Sequence, residues 1–462
     1  MGGQAPPAPI PPSSSDKGAP LLTIGTALRF ALSRNPELRN SADRLLSTRW
    51  NERAVRSTFL PQVTPFFAFE KSDETGDRTD TYGVLLSQQF LFGTALEGQA
   101  VVDRRPQAVG GEAYDGDYRL TLRQPLLRGA DPAVTAEPLR LARRSSSADA
   151  RALEVTRRRT VLLVYQAYLG VARQQEALKL AADRVQRSRE LTEFSRARFS
   201  AGSVSRLDVL RAEQQEASTV VAMNDTENLL DDFRDLLRRT AGLVENESFS
   251  IEMPPDLPLE EPDLESAIQD RMDRRPEAVE ARDEVSDADF ALRIAKSLEL
   301  PSVNGFLTYE ASGSGRSAGD ALHPRNPALV FGLSSQYGLN NTILHARKRQ
   351  AEIDLGARKR NFDVLADDFS REVRRAYRRL DALKRNHAIA VENENVALLQ
   401  AEVARLRFEK GLSDNFNVVD AENLLNSARL LELDSRVSIL LARLDCLYSS
   451  GRLDVNAFLS LP

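Results

Sequence analysis

The stretch Arg198-Phe199-Ser200-Ala201-Gly202-Ser203-Val204-Ser205-Arg206-Leu207-Asp208-Val209-Leu210-Arg211-Ala212-Glu213 returns as Arg407-Phe408-Glu409-Lys410-Gly411-Leu412-Ser413-Asp414-Asn415-Phe416-Asn417-Val418-Val419-Asp420-Ala421-Glu422. Arg, Phe, Gly, Val, Ala and Glu coincide at a constant offset of 209 (407 minus 198). A shared turn at a fixed offset predicts two copies of one helical hairpin. The glycine suits the left-handed position that closes a helix, and Ser205 or Asp414 is placed to cap the helix that follows.

A second landmark repeats at a different offset. Thr23 can cap a helix over 24–34, and Asn35-Pro36-Glu37 opens another that Leu60-Pro61 ends. Asp263 stands before a helix over 264–274, and Arg275-Pro276-Glu277 opens one that Leu300-Pro301 ends. Both Pro-to-Pro spacings are 25 (61 minus 36, 301 minus 276), and the offset is 240 (276 minus 36). The first half is therefore 31 residues longer between landmarks (240 minus 209). That surplus falls where 82–90 and 96–102 read as strands around Phe92-Gly93-Thr94, which predicts an added hairpin.

Strand patterns follow each helix stop. Val63-Thr64-Pro65-Phe66-Phe67-Ala68-Phe69 and Val303-Asn304-Gly305-Phe306-Leu307-Thr308-Tyr309 precede polar loops over 72–80 and 311–326, with a further strand at 329–337. Tyr118, Leu120 and Leu122 alternate with Arg119, Thr121 and Arg123, so one face is apolar and the other charged. A soluble sheet packed on helices satisfies this pattern, and so does a barrel wall between lipid and a wet lumen. The aromatics at strand ends, among them Phe67, Tyr82, Tyr118, Tyr309 and Phe331, favour the barrel.

The remainder reads as long helix. Segments 131–200 and 341–410 carry no Gly/Pro cluster, and roughly 70 residues at 1.5 Å per residue make a helix of about 100 Å. Val164, Val171, Leu178, Val185, Thr192 and Phe199 keep a heptad step, as do Ala376, Leu383, Ala390, Ala397 and Ala404. Leu380, His387, Glu394, Ala401 and Phe408 form the companion series, so the seam is alanine-rich and partly polar. Small residues let helices approach closely but stabilise an isolated pair poorly, so packing against further copies is expected. Return helices are expected over 207–240 and 416–449.

Composition narrows the function. Among 462 residues there are 24 Gly and 22 Pro, with 28% charged side chains and 6% aromatics, which fits long helices better than a packed α/β enzyme. The net charge of −5, with both signs interspersed, gives no basic face for nucleic acid. One cysteine and three histidines exclude a disulfide framework and a dense metal cluster, and Cys446 in its apolar run reads as a buried thiol. No constellation of catalytic or cofactor-binding residues converges, and Gly313-Ser314-Gly315 lacks the context of a phosphate loop. No apolar run reaches the ~18 residues of a membrane-spanning helix, but barrel strands leave little trace in hydropathy. Residues 1–20 form a Pro/Ser/Ala/Gly linker without a signal-peptide pattern, expected of a protein that is not exported or of a mature form with an added start Met.

The order helix, strands, long helix, Arg-Phe-x-x-Gly turn and return helix, present twice and closing on Tyr448-Ser449-Ser450-Gly451-Arg452-Leu453, resembles the TolC-like outer-membrane efflux protein family. The likeness covers about residues 20–460. It implies a mainly α chain with β-barrel strands: a trimeric outer-membrane β-barrel continued by a long periplasmic α-helical barrel, with two internal repeats per chain. The repeats would span 21–245 (strands within 62–125, tip at 199–208) and 263–450 (strands within 302–338, tip at 408–420), separated by a linker at 246–262 and followed by a tail at 451–462. The family's four strands per protomer would give twelve, and the added hairpin would give six and eighteen. The implied partners are two further copies, outer-membrane lipid, and a periplasmic adaptor protein that leads to an inner-membrane pump. The implied role is a passive exit duct in tripartite efflux or type I secretion. Some relatives carry an N-terminal acylated Cys, and the likeness leaves open that Met1 stands in for one.

Residue by residue, the likeness places Asn417 and Asp420 where the family rings its constriction with two carboxylates one helical turn apart. One expected carboxylate is thus an amide. Asp208, the first-repeat counterpart of Asn417, could add charge nearby, and the alternative for Asp208 and Asp420 is a favourable charge near a helix N-terminus. Gly202, Ser203, Val204, Gly411, Leu412 and Ser413 match the tip where adaptors dock. Arg198 and Arg407 are expected to bond helix-end carbonyls or neighbouring acids. The competing reading is a soluble coiled-coil scaffold with small β-insertions.

Overall fold

The computed structural model describes residues 21–71, 78–107, 111–243, 249–253 and 263–459. The linker expected at 1–20, most of the loop at 72–80 and most of the link at 246–262 lie outside them. In chain order the elements are α1 (Ile24–Arg34), α2 (Pro36–Ser57), β1 (Gln62–Lys71), β2 (Arg78–Gln89), β3 (Ala95–Gln107), β4 (Gly111–Pro125), α3 (Pro132–Thr135), α4 (Glu137–Ser200), α5 (Arg206–Ala241), α6 (Leu264–Arg274), α7 (Pro276–Leu298), β5 (Ser302–Gly315), α8 (Ala318–Ala321), β6 (Ala328–Gln336), α9 (Thr342–Glu409), α10 (Asn415–Ser449) and α11 (Val455–Leu459). They form two compact units, 1–42 with 152–278 and 365–462, and 43–151 with 279–364, each built from both halves of the chain.

The first unit is helical. Its main core gathers Leu28 of α1, Val161, Val164, Tyr165 and Leu169 of α4, Leu237 of α5, Leu440 and Leu444 of α10 and Phe458 of α11. The Tyr168 hydroxyl donates to the carbonyls of Leu22 (3.2 Å) and Glu252 (3.1 Å), which ties the short described segment between the repeats to that core. The two Pro landmarks do different work. Asn35 accepts the amides of Glu37 (2.9 Å) and Leu38 (3.2 Å), capping α2. Its counterpart Arg275 is buried, pairs with Glu372 at 2.6 Å and lies 3.7 Å above the Phe369 ring.

Along α9 and α10 the seam is thin. Ala397 and Ala401 meet Ala421, Leu425 and Ala428, and higher up Ala376 and Leu380 meet Ile439, Ala442 and Cys446. The heptad positions Val164, Val171, Val185, Thr192, Ala376, Ala390 and Ala397 are buried as their spacing predicts, whereas Phe199 is 42% exposed.

The second unit carries one antiparallel sheet in the order β1-β2-β3-β4-β5-β6. The hairpin predicted from the 31-residue surplus is β2 and β3, paired from Asp80↔Arg104 to Gln89↔Ala95. Register carries one apolar stripe across all six strands: Phe67 opposes Tyr82, Tyr82 opposes Val102, Leu120 opposes Tyr309 and Leu122 opposes Leu307, which opposes Phe331. Partners opposite one another share a face. The other face is polar, with Thr81 donating to Asp103 at 2.6 Å, Arg119 pairing with Glu310 at 3.0 Å and Thr121 meeting Thr308 at 3.2 Å. Phe331, Leu333 and Phe67 are 81%, 73% and 71% exposed, while at one end of the same face α8 lies over Gly116 and Gly313 and the Tyr118 hydroxyl donates to the Ala321 carbonyl at 3.2 Å.

Three details depart from the expected pattern. The strand β5 runs on to Gly315, into the segment expected to be loop, because β4 supplies partners as far as Tyr114↔Gly315. The rest of that segment holds α8, capped by Ser317, with the Ala321 carbonyl lying against Gly313. A helix this short leaves no periodicity in the sequence. The same holds for α11, where only a tail was expected.

Near the sheet, α4 and α7 are joined by charge. Arg140 pairs with Asp287 at 2.5 Å, Arg144 with Asp287 at 2.9 Å and with Glu280, and Arg151 with Glu280 and Asp283, both at 2.8 Å. Burial opposes charge on Glu280, yet Arg144 and Arg151 outweigh it and hold the carboxyl below its ordinary range. A depressed carboxylate stabilises the fold fully above its unfolded pKa and loses that contribution as pH falls through the folded one. Circular dichroism melts between about pH 7 and pH 3 should therefore show an acid-side loss that Glu280→Gln diminishes. An unchanged acid profile would contradict the assignment. On the apolar stripe, Phe331→Arg should weaken insertion into phospholipid vesicles by about 2–4 kcal/mol, read by flotation, while Thr308→Arg on the polar face should be tolerated.

Candidate functional site at the hairpin ends

The two turns are built alike. At the end of α4 the Gly202 amide donates to the Phe199 carbonyl (2.9 Å) and Ser203 to Arg198 (2.9 Å). At the end of α9 Gly411 donates to Phe408 (3.0 Å) and Leu412 to Arg407 (2.8 Å). Gly202 and Gly411 sit at φ +73° and +75°, a conformation that costs other residues a strained backbone. Ser205 caps α5 in a capping box whose second member is Asp208, and Asp414 caps α10 through the Asn417 amide at 3.4 Å.

The structure distributes the candidate residues unequally. Asp208 accepts from the Ser205 amide (3.0 Å) and hydroxyl (2.7 Å), so its carboxylate is engaged in the cap. The Asn417 amide group donates to Ser413 (2.9 Å) and Asp414 (2.7 Å), and Asp420, one turn on, is exposed. Gly202, Ser203 and Gly411 are exposed, Leu412 is 70% exposed, and Val204 and Ser413 are half-buried.

The equivalent arginines differ most. Arg198 donates from Nη1 to the Phe408 carbonyl and lies over the rings of Phe194 (5.7 Å) and Phe408 (5.3 Å), which meet edge-on at 5.6 Å. Arg407 is exposed. The first hairpin thus lays its arginine across the end of the second, and Asn415 adds a buried bond from its side chain to the Asp208 carbonyl at 3.0 Å.

Further rungs join α4 and α5 to α10: Arg187 to Glu422 (2.9 Å), Arg184 and Gln215 to Asn423 (2.5 and 3.1 Å), and Arg173 to Asp434 (2.7 Å). Beside them Phe194, Phe408, Arg187 and Glu422 line a cavity of about 460 Å³. Sequence reading missed Asn415, Arg184 and Asn423, because polar residues on a helix read as solvated until the facing hairpin is known. Arg184 is the best test of this, since burial lowers its pKa from the ordinary range. Among the described residues no group of three or more His, Cys, Asp or Glu is arranged to hold a metal ion.

Residues 27–243 and 267–446 match the model of the outer membrane efflux protein family, and the chain belongs to that family. The class is an efflux channel of the outer membrane. Its fold is similar to that of the outer-membrane channel OprN, at 17% identity and TM-score 0.72 over 93% of this chain and 90% of that one. It is similar also to VceC, an outer membrane protein from Vibrio cholerae (15% identity, TM-score 0.71, 93% and 96% covered). A third similar structure is the CmeC outer membrane channel of Campylobacter jejuni (12%, 0.70, 94% and 87%). No curated protein matches the sequence significantly.

The capping box yields a test. Asp208→Ala should cost α5 about 1 kcal/mol, and Asp208→Asn, which keeps an acceptor, should cost clearly less. Equal loss of thermal midpoint in the two variants would show that the negative charge matters more than the hydrogen bonds.

Proposed function

We propose that three copies of this chain close into one outer-membrane duct that serves as the passive exit of a tripartite efflux or type I secretion system. The observation that carries the reading is the apolar stripe running in register across six strands whose outermost members, β1 and β6, each have one open edge. Unpaired backbone is tolerated poorly in lipid, and closure on other copies removes both edges. Six strands from each of three copies make an eighteen-stranded barrel, in the size range of about 16–18 strands that encloses a water-filled lumen. The Arg119, Asp103 and Glu310 face then meets that water.

In this reading the helical hairpins stand in the periplasm and their turns form the far end of the duct. Gly202, Ser203, Val204, Gly411, Leu412 and Ser413 present small side chains and two apolar ones, a surface suited to a periplasmic adaptor that leads to an inner-membrane pump. Asp420 and Asn417 ring the narrow end: three Asp420 carboxylates attract cations and repel anions, and three amides replace what would be a second charged ring. Asp208 contributes beside them mainly through its cap, and Arg198 holds the turn of the second hairpin while Arg407 is exposed. An acylated N-terminus would add an anchor, which mass spectrometry of the native protein identifies.

Planar-bilayer recording of the purified protein should give detergent-dependent insertion and stepwise, cation-preferring conductance. Asp420→Asn should reduce the preference for cations, and Asp420→Arg should reverse it. A protein that stays in solution without detergent and gives no conductance would refute the duct.

A further inference from the structure

We infer that Arg407 of one copy seats on the Phe199 end of the neighbouring copy's first hairpin, repeating between chains the contact that Arg198 makes with Phe408 inside one chain. The inference rests on the trimer reading above and adds the residues that form its seam near the tip.

The argument is one of equivalent positions. The offset of 209 relates Arg198 to Arg407, Phe199 to Phe408 and Gly202 to Gly411. Within the chain Arg198 covers Phe408, which is 1% exposed, and its Nη2 lies 3.0 Å from where a Cβ on Gly411 would stand. The matching socket on the first hairpin is empty: Phe199 is 42% exposed and nothing lies within 4 Å of the same point on Gly202. The matching key is free to fill it, because Arg407 is exposed. Each hairpin therefore has one side that gives an arginine and one that receives it, and a chain with two hairpins uses only one of each. A heterologous contact of this kind closes a ring when the rotation between copies divides a full turn, as the trimer reading requires.

The helix faces agree. Arg187, Glu190 and Phe194 of α4 line the cavity with Val418 and Glu422 of α10. Their counterparts Val396, Leu399 and Val403 on α9 are 43%, 61% and 53% exposed and line an open groove of about 830 Å³ that runs past Arg407 to Leu412 and Asn417. The counterpart of Val419 is Leu210, 49% exposed on α5. An apolar strip on one hairpin thus answers an exposed leucine on the other, where the intrachain joint uses an ion pair.

The test mixes two chains that each carry one introduced cysteine beside Cys446. Protein carrying Arg407→Cys is co-expressed with protein carrying Ser203→Cys, extracted in detergent, sized, and treated with a short bismaleimide. Trimers that yield covalent dimers in the mixed preparation, with neither variant alone doing so, are expected; Cys446 is buried and supplies the background. The pair Arg198→Cys with Leu412→Cys in one chain, the intrachain equivalent, should link without change of chain number and proves the reagent's reach. Trimers in which the intrachain pair links and the mixed pair does not would overturn this seam while leaving the duct intact, and would leave the Arg407 face to another protein. A preparation that sizes as a monomer would refute the trimer itself.

Discussion

A sheet that is apolar on one side and charged on the other, with backbone open at both ends, constrains everything else in this chain. Its apolar stripe is exposed over much of its length, up to Phe331 at 81%, and among the described residues the short α8 lies over only its Gly116 and Gly313 end. Water would penalise that surface and lipid would not, but lipid would penalise the open amides of β1 and β6 instead. Only closure into a barrel meets both demands.

The helical part faces a milder version of the same problem. A buried leucine or valine contributes about 1.5–3 kcal/mol, and an alanine much less, so the seam of Ala397, Ala401, Ala421 and Ala428 is weak compared with the core around Tyr165 and Leu444. Charged rungs such as Arg187 with Glu422 are partly solvated, and exposed pairs of this kind contribute about 0–1 kcal/mol each. Thin seams and modest rungs keep the hairpins aligned without locking them.

Much of this was legible in the sequence because it rests on local rules. Thr23, Ser205 and Asp414 cap helices as their types predict, Gly202 and Gly411 close turns, and the Pro landmarks open α2 and α7. The 31-residue surplus located the β2–β3 hairpin since antiparallel strands alternate visibly. What stayed hidden depends on partners distant in sequence. Asn415 is buried and Arg184 half-buried by a facing hairpin, α8 and α11 are too short for periodicity, and β5 extends because β4 is there to pair with it. Asp208 was legible as a charge, but its engagement by Ser205 shows only in the geometry of the cap.

Hydrogen exchange along the outer strands probes closure most directly. In detergent-solubilised protein the amides of β1 and β6 should be protected as strongly as those of β3, which has partners on both sides within the chain. If β1 and β6 exchange freely while β3 is protected, the sheet is open, and neither barrel nor duct can stand.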